Sequence, residues 1–141
     1  MIPRLIWCYW DQGISSAPYL VKKCINTWRI NNPDWEFTLI ERSSIDQFIE
    51  LTIPSHIFNS LTLQKQSVLI RLLLLEKYGG VWVDATTYCQ IPLSDWIDDY
   101  TSDAQFFAFQ NPGRDRIISN WFFAAERNSI IIKKVYAKMH E

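Results

Sequence analysis

The chain has 141 residues, which is long enough for one domain with a buried core, and we predict a single domain over residues 1–141. Its 14 Lys and Arg residues nearly balance its 15 Asp and Glu residues, so the formal net charge is −1. A chain without a basic excess has no overall field that attracts nucleic acid, and we predict no nucleic-acid partner. Any anionic ligand must therefore be bound by local groups.

The N-terminal residues and the cysteines bear on location. The N-terminus lacks the basic segment, long apolar run and small-residue cleavage site of a signal peptide. No window reaches the roughly 20 apolar residues that a membrane-spanning helix needs. Cys8, Cys24 and Cys89 show no C-x-x-C spacing, so we expect free thiols in a reducing compartment. We therefore predict a cytoplasmic protein, and peripheral association with the inner face of the membrane stays open.

Strand and helix signals alternate in the first half of the chain. The predicted elements, in the order strand, helix, strand, helix, are residues 5–10, 18–30, 35–40 and 43–50. Pro18 suits the first turn of the first helix, and Pro33 ends it. Ser43 and Ser44 resemble the cap of the second helix. This alternation predicts an α/β fold with a mostly parallel central sheet flanked by helices.

The second half continues with helices at 54–61, 63–78 and 130–140, strands at 81–83, 106–109 and 119–125, and a loop with a helical turn at 92–99. The long helix is apolar on every face of its 68–75 portion except at Arg71, which predicts burial between the sheet and another layer. Gly79 and Gly80 suit the helix end and the reversal into the next strand. The last helix has no stop signal, so we expect the front portion of a longer protein, with a fold incomplete at its C-terminus.

Arg71 and Asp84 flank the double glycine at matching distances. A helix rises ~1.5 Å per residue and a strand ~3.3 Å, so the helix from residue 71 to 79 climbs about as far as the strand from 80 to 84 returns. If the two run antiparallel, the guanidinium and the carboxylate become level at the carboxyl end of a strand, where open α/β sheets bind ligands. A phosphate and a divalent cation fit there. Because an unpaired buried charge is costly, Arg71 must meet an acid, a phosphate or sugar oxygens.

Five blocks of the sequence resemble the bacterial capsular polysaccharide synthesis proteins. This family belongs with the DXD-type glycosyltransferases, which include yeast initiating mannosyltransferases and clostridial glucosylating toxins. The blocks follow the family's order over nearly the whole chain, at residues 2–10, 32–36, 67–71, 79–86 and 119–122. The resemblance implies a GT-A, Rossmann-like fold that binds a nucleotide sugar, a divalent metal such as Mn²⁺ or Mg²⁺, and transfer with retention at the anomeric carbon.

The resemblance also implies roles for single residues. Trp10 matches the tryptophan that stacks on the nucleobase, and Arg71 the arginine that touches the donor sugar or its phosphate side. Asp84 matches the first acid of the DXD motif, which contacts donor and metal, and Thr86 stands where many relatives have a second acid and can add an oxygen to the metal shell. The implied catalytic residues are Asp84 and Arg71. The predicted donor-binding set is Trp10, Asp11, Ser67, Arg71, Asp84 and Asn120.

Each candidate also has a purely structural interpretation, which the sequence leaves open. Arg71 can form an ion pair with Asp84 or Glu76 without any ligand. The other residues have equally ordinary alternatives: a turn cap for Asp84, core packing for Trp10, sheet propensity for Thr86, a chain turn for Asp11 and a loop hydrogen bond for Asn120.

Two functions follow as hypotheses. The first is a metal-assisted glycosyltransferase of the hexosyltransferase type, which moves a sugar from a UDP- or GDP-sugar to a capsular or surface polysaccharide or oligosaccharide acceptor. The second is a catalytically silent nucleotide-sugar-binding or assembly protein of a polysaccharide-synthesis system. Val68 favours the second, because many relatives of the resembled family have an acid at this place. The sequence contains no P-loop and no G-x-G-x-x-G motif, which argues against kinase and dinucleotide-binding functions.

Overall fold

The computed structural model describes residues 1–139. Its strands are β1 (Leu5–Tyr9), β2 (Glu36–Ile40), β3 (Gly80–Val83), β4 (Phe106–Phe107), β5 (Gln110–Gly113), β6 (Arg116–Ile118) and β7 (Phe122–Ala125). Its α-helices are α1 (Tyr19–Asn31), α2 (Ser55–Ser60), α3 (Leu63–Tyr78), α4 (Ile97–Thr101) and α5 (Ile130–Met139). Short 3-10 helices lie at Ile14–Ser16, Arg42–Gln47 and Leu93–Asp95. Residue 140, with which we predicted the last helix to end, lies outside the described residues.

The central sheet has the strand order β2-β1-β3-β7-β4. β1 pairs in parallel with both β2 and β3, whereas β7 pairs antiparallel with β3 and β4. All strands of this sheet except β7 therefore run the same way. The predicted α/β fold with a mostly parallel central sheet flanked by helices is confirmed.

Side chains alternate between the two faces of this sheet and feed two hydrophobic clusters. In β1, Ile6 and Cys8 face the cluster that contains α1, whereas Trp7 and Tyr9 face the cluster that contains α3. Helices α1 and α4 thus cover one face, and α2, α3 and α5 cover the other. Helix α3 packs against the sheet and against α5, so its predicted burial is also confirmed.

The bounds of α3 follow from its two ends. The Thr62 hydroxyl accepts the Lys65 N–H at 3.2 Å, which satisfies one of the free donors of the first turn. At the other end Gly79 and Gly80 have φ of 68° and 108°, in the region that favours glycine. A Cβ on Gly80 would lie 2.6 Å from the Leu5 carbonyl oxygen, so this turn also brings β3 close against β1.

The helix predicted over residues 43–50 is wrong. The structure has a 3-10 helix at Arg42–Gln47, which Glu41 caps through its side chain, and the Ser44 hydroxyl accepts the Glu41 N–H in return at 3.0 Å. The N–H groups of Phe48 and Ile49 both donate to the Ile45 carbonyl, and the helix does not continue. A capping pattern is therefore present, but its N-cap is Glu41, two residues before the predicted cap at Ser43, and it begins a 3-10 helix instead of an α-helix.

The predicted strands at 106–109 and 119–125 are both too long. The Phe109 N–H donates to the Ser119 hydroxyl at 3.0 Å instead of joining the sheet, and β4 ends at Phe107. Strand β7 begins only at Phe122, whose carbonyl accepts the Ser119 hydroxyl at 3.2 Å. The hairpin of β5 and β6 was not predicted. Its residues are exposed throughout, so no alternation of buried and polar side chains marks it.

The cysteines agree with the prediction of free thiols. Cys8, Cys24 and Cys89 are all buried free thiols, and burial raises the pKa of the Cys8 thiol to about 12. Among residues 1–139 no helix combines the length and the apolar character required to cross a membrane.

Candidate functional site

A cleft of about 910 Å³ opens at the edge of the sheet where β1 and β3 end. Its lining includes all the residues that the sequence proposed for donor and metal binding, namely Trp10, Asp11, Ser67, Arg71, Asp84, Thr86 and Asn120. A cleft at the carboxyl ends of parallel strands is the usual ligand site of an open α/β sheet. The structure thus brings together residues that are up to 110 positions apart in the chain (120 − 10).

The topology explains why these residues meet. Strands β1 and β3 run in parallel, so Trp10 and Asp84, which directly follow them, lie at the same edge. Strand β7 is antiparallel to β3, so the residues that precede β7 reach that edge as well. The Asp84 N–H donates to the Trp121 carbonyl at 3.0 Å, which holds Asn120 beside the cleft. Helix α3 supplies the facing wall.

Arg71 and Asp84 form an ion pair at 3.2 Å between Nη2 and Oδ1. The Arg71 side chain is only 6% exposed, whereas that of Asp84 is 35% exposed, so the pair has a buried end and an open end. Burial lowers the pKa of the Arg71 guanidinium, and the charge of Asp84 acts in the opposite direction. The Nε atom of Arg71 is buried without a hydrogen-bond partner in the described part of the chain.

Trp82 supports both members of this pair, and sequence analysis did not identify it. Its indole N–H donates to Asp84 Oδ1 at 2.8 Å. Its ring faces the Arg71 guanidinium, with 4.9 Å between Cζ and the ring centroid, and the Phe123 ring lies 5.6 Å from the same Cζ. Trp82 and Asp84 are two residues apart, which places both on the α3 side of the strand. That spacing was the available signal, because residues i and i+2 share a face.

For the glycosyltransferase that the sequence resemblance implies, we expect Trp82→Phe to slow sugar transfer about tenfold, because Asp84 loses a hydrogen bond to its charged form while an aromatic ring stays under Arg71. The matched control is Trp7→Phe. Trp7 pairs with Trp82 across the strands, donates its own indole N–H to the Gly79 carbonyl at 2.9 Å and is equally buried, but it does not line the cleft. Steady-state rates and melting temperatures of both variants check this. Equal rates in the two variants would contradict a role for Trp82.

The Asp84 carboxylate is oriented toward the cleft and not toward the turn that follows it. The turn is closed by the backbone carbonyl of Asp84, which accepts the N–H of Thr87 at 3.0 Å and its hydroxyl at 2.6 Å. Of the two carboxylate oxygens, only Oδ1 receives hydrogen bonds from residues 1–139. The Asp84 side chain therefore does not cap this turn, and Oδ2 stays available to a ligand.

The chain does not form a complete metal cage by itself. Within residues 1–139 no group of three or more His, Cys, Asp or Glu side chains is close enough to hold a metal ion. Asp84 Oδ2 and the exposed Thr86 nonetheless provide hard oxygen atoms on one side of the cleft. Mg²⁺ typically binds through one or two carboxylates together with substrate phosphates and waters, so this donor set fits a metal that is shared with a diphosphate.

Trp10 and Asp11 form the wall opposite α3. The backbone N–H of Trp10 donates to the Ile40 carbonyl at 3.0 Å. The Trp10 ring packs partly against the core and also lines the cleft. Its indole Nε1 is buried and lacks a partner in the described residues. Asp11 Oδ1 accepts the Tyr9 hydroxyl at 2.5 Å and Arg42 Nε at 2.8 Å. Burial, together with this carboxylate, raises the pKa of the Tyr9 hydroxyl.

The remaining predicted residues line the cleft with free polar groups. Ser67 lies on α3, and Asn120 is exposed before β7. The side chains of Ser67 and Asn120 form no hydrogen bond with residues 1–139, so the structure does not contain the loop hydrogen bond that was the alternative for Asn120. Val68 and Lys65 also line the cleft.

Curated relatives match most of this chain. It is 29% identical to the O-glycosyltransferase braB of Annulohypoxylon truncatum, over 92% of this chain and 35% of the relative. It is 31% identical to the glycosyltransferase afumC of Aspergillus fumigatus, over 92% of this chain and 38% of the relative. The initiation-specific alpha-1,6-mannosyltransferase of Candida albicans is 29% identical over 69% of this chain and 27% of its own length. The chain thus spans about a third of the length of the curated relatives it matches.

The structural and family comparisons agree with these relatives. The solved structure titled PaToxG Glycosyltransferase matches with a TM-score of 0.64 at 15% identity, over 96% of this chain and 58% of that chain. This likeness shows the fold, and it confirms the predicted GT-A type. The family described as capsular polysaccharide synthesis protein matches residues 1–141, as the sequence resemblance predicted. The chain belongs to the capsular polysaccharide synthesis protein family.

Proposed function

We propose that this chain is the donor-binding part of a glycosyltransferase that moves a sugar from a nucleotide diphosphate to a hydroxyl group of a saccharide. The observation that carries the proposal is the Arg71–Asp84 pair at 3.2 Å, set in a cleft at the carboxyl ends of β1 and β3 with Trp10 on the facing wall. The glycosyltransferase names of the relatives support the same reaction class. A capsular or surface polysaccharide acceptor is the finer proposal, which the family description supports.

Arg71 would stabilise the departing diphosphate. As the bond between the anomeric carbon and the diphosphate oxygen breaks, negative charge grows on the leaving oxygen. The acceptor hydroxyl oxygen forms the new bond to the anomeric carbon, and its proton passes to an oxygen of the departing diphosphate. A guanidinium that is already fixed by Asp84 and Trp82 needs no reorganisation to meet that charge. In a site this buried, its effect is larger than in water. Retention at the anomeric carbon is the outcome that the family resemblance implies, and it stays a prediction.

A divalent cation would be held by Asp84 Oδ2, with Thr86 as a further oxygen donor and the diphosphate supplying other ligands. When bound, such a cation neutralises negative charge on the diphosphate. Trp10 would stack on the nucleobase, and Asp11 would lie at the ribose end of the same wall. Ser67 and Asn120, whose side chains make no hydrogen bond with residues 1–139, would bond to sugar or phosphate oxygens.

A catalytically silent nucleotide-sugar-binding or assembly protein is the second candidate. Val68 favours it, because a valine lines the cleft one turn before Arg71 and cannot accept a hydrogen bond from a sugar hydroxyl. The small number of acidic metal ligands in residues 1–139 points in the same direction.

Calorimetric titration with UDP-glucose and GDP-mannose, each with Mn²⁺ and with EDTA, separates the candidates. For the enzyme we expect metal-dependent binding of one donor together with slow release of free sugar from it, since water can replace the acceptor. Binding without sugar release supports the silent relative. Absence of binding to any member of a wider nucleotide-sugar panel, tested by thermal shift, would contradict both donor-binding proposals and favour an assembly role.

A further inference from the structure

Arg42 makes contacts with several elements around the cleft although it does not line the cleft itself. Its Nε donates to Asp11 Oδ1 at 2.8 Å, its Nη1 to Asn59 Oδ1 at 2.9 Å and its Nη2 to Gln66 Oε1 at 2.6 Å. Its backbone N–H donates to the Asp11 carbonyl at 3.2 Å. One guanidinium thus ties the segment after β1 to α2 and to α3.

The two ends of this connection are the two walls of the cleft. Asp11 and its neighbour Trp10 belong to the first wall, and Ser67, the neighbour of Gln66, belongs to the second. Gln66 is only 2% exposed, and its Nε2 donates to the Phe58 and Leu61 carbonyls at 2.9 and 3.2 Å, so it is fixed in turn. A displacement of Arg42 would therefore release the first wall from a rigid second wall.

The geometry of the side chain suits this task. A guanidinium presents its N–H groups in a planar fork at fixed angles, whereas an ammonium is a single point of charge. Arg42 uses one nitrogen of the fork for each of three acceptors, and the Phe58 ring lies 5.7 Å from its Cζ. A lysine ammonium also has three N–H donors, but they radiate from a single nitrogen and do not reproduce three contacts that each use a different guanidinium nitrogen.

We infer that Arg42 is a positioning residue that sets the spacing between the Trp10–Asp11 wall and the α3 wall, and thereby tunes affinity for the nucleoside end of a nucleotide-sugar donor. This inference rests on the proposed function. The end of the donor held by Trp10 and Asp11 is remote from the bond that breaks. Loss of the correct spacing there weakens binding of the donor equally in the ground state and in the transition state. This raises KM and leaves kcat nearly unchanged.

The test is steady-state kinetics of donor turnover in Arg42→Met, Arg42→Lys and the control Arg4→Met. Arg4 also pairs with an aspartate, Asp98, through hydrogen bonds of 2.5 and 3.1 Å, and lies away from the cleft. For Arg42→Met we expect a donor KM about tenfold higher, because a hydrogen bond to a charged group is lost on each wall. Arg42→Lys should resemble Arg42→Met more than wild type, and Arg4→Met should resemble wild type.

A second measurement needs no ligand. Hydrogen exchange of the Gly13 amide, which donates to the Trp10 carbonyl at 3.1 Å, should be faster in both Arg42 variants than in Arg4→Met. If the wild type turns over donor and the Arg42 variants show unchanged KM and exchange, only this inference fails. If the wild type neither binds nor turns over any donor, but Gly13 amide exchange is faster in the Arg42 variants as expected, the proposed function fails. The conclusion that Arg42 holds the two walls together then still stands. Loss of kcat with unchanged KM would also overturn the positioning role.

Discussion

Asp84→Asn is expected to reduce sugar transfer roughly a thousandfold, because the proposed cation site loses its anionic ligand and several kcal/mol of charge stabilisation disappear with it. The amide keeps the size of the side chain and can still accept the Trp82 N–H, which now bonds Oδ1 at 2.8 Å. Geometry is therefore preserved while charge is removed. Transfer rates at saturating donor, with Mn²⁺ varied, measure the effect.

The same substitution leaves Arg71 as a buried charge without a counter-ion, so stability also falls. Removing one partner of a buried ion pair costs about 3–5 kcal/mol, and we expect about 1–3 kcal/mol here because water reaches the Asp84 side. The double variant with Arg71→Met separates the two effects, since it removes both charges. Its melting temperature should return toward the wild-type value while transfer stays lost. Recovered transfer in the double variant would contradict the role of Asp84.

Arg71→Met is expected to reduce transfer by roughly a hundredfold to a thousandfold, which is the usual cost of removing one group that stabilises developing negative charge. Stability should stay equal or rise. The methionine removes a buried charge whose Nε has no partner among residues 1–139, and Asp84 keeps its Trp82 hydrogen bond and its 35% exposure to water.

This pattern distinguishes the functional interpretation of Arg71 from the structural one. A purely structural ion pair predicts a lower melting temperature and no specific effect on rate per folded molecule. Thermal melts together with transfer assays of the folded fraction decide between them. The Leu72→Met substitution, next to Arg71 and buried at 1% exposure, is a control for disturbance of helix packing.

The meeting of Arg71 and Asp84 could be predicted because it depends on fixed quantities. The rise per residue of a helix and of a strand is constant, and Gly79 and Gly80 mark where α3 ends and β3 begins. Once those bounds are known, the two side chains must come level. The α/β alternation likewise predicts that β1 and β3 are parallel, which places Trp10 and Asp84 at one edge of the sheet. It does not predict the antiparallel β7, which brings Asn120 to the same edge.

Arg42 could not be identified from the sequence, because its contacts depend on side-chain conformation and on distant partners. Trp82 had one signal, its two-residue spacing from Asp84, but its contacts with Asp84 and Arg71 also depend on side-chain conformation. The acceptors of Arg42 lie 31, 17 and 24 positions away in the chain, on three different elements. No local sequence pattern predicts hydrogen bonds between residues so far apart in the chain. The β5–β6 hairpin was not predicted for another reason. Its residues are exposed and have no buried face, so the sequence shows no alternation of apolar and polar residues there.

The tight reversal at Gly79 and Gly80 makes the number of residues between Arg71 and Asp84 a fixed count. One residue added to β3 would move the Asp84 carboxylate to the opposite face of the sheet, the face on which Val83 lies. One residue added to α3 between Arg71 and Gly79 would turn the guanidinium by about 100° around the helix axis. Insertions elsewhere, such as at the exposed hairpin, have no such effect. Length variation in homologous chains should therefore be absent from this interval even where the surrounding loops differ in length.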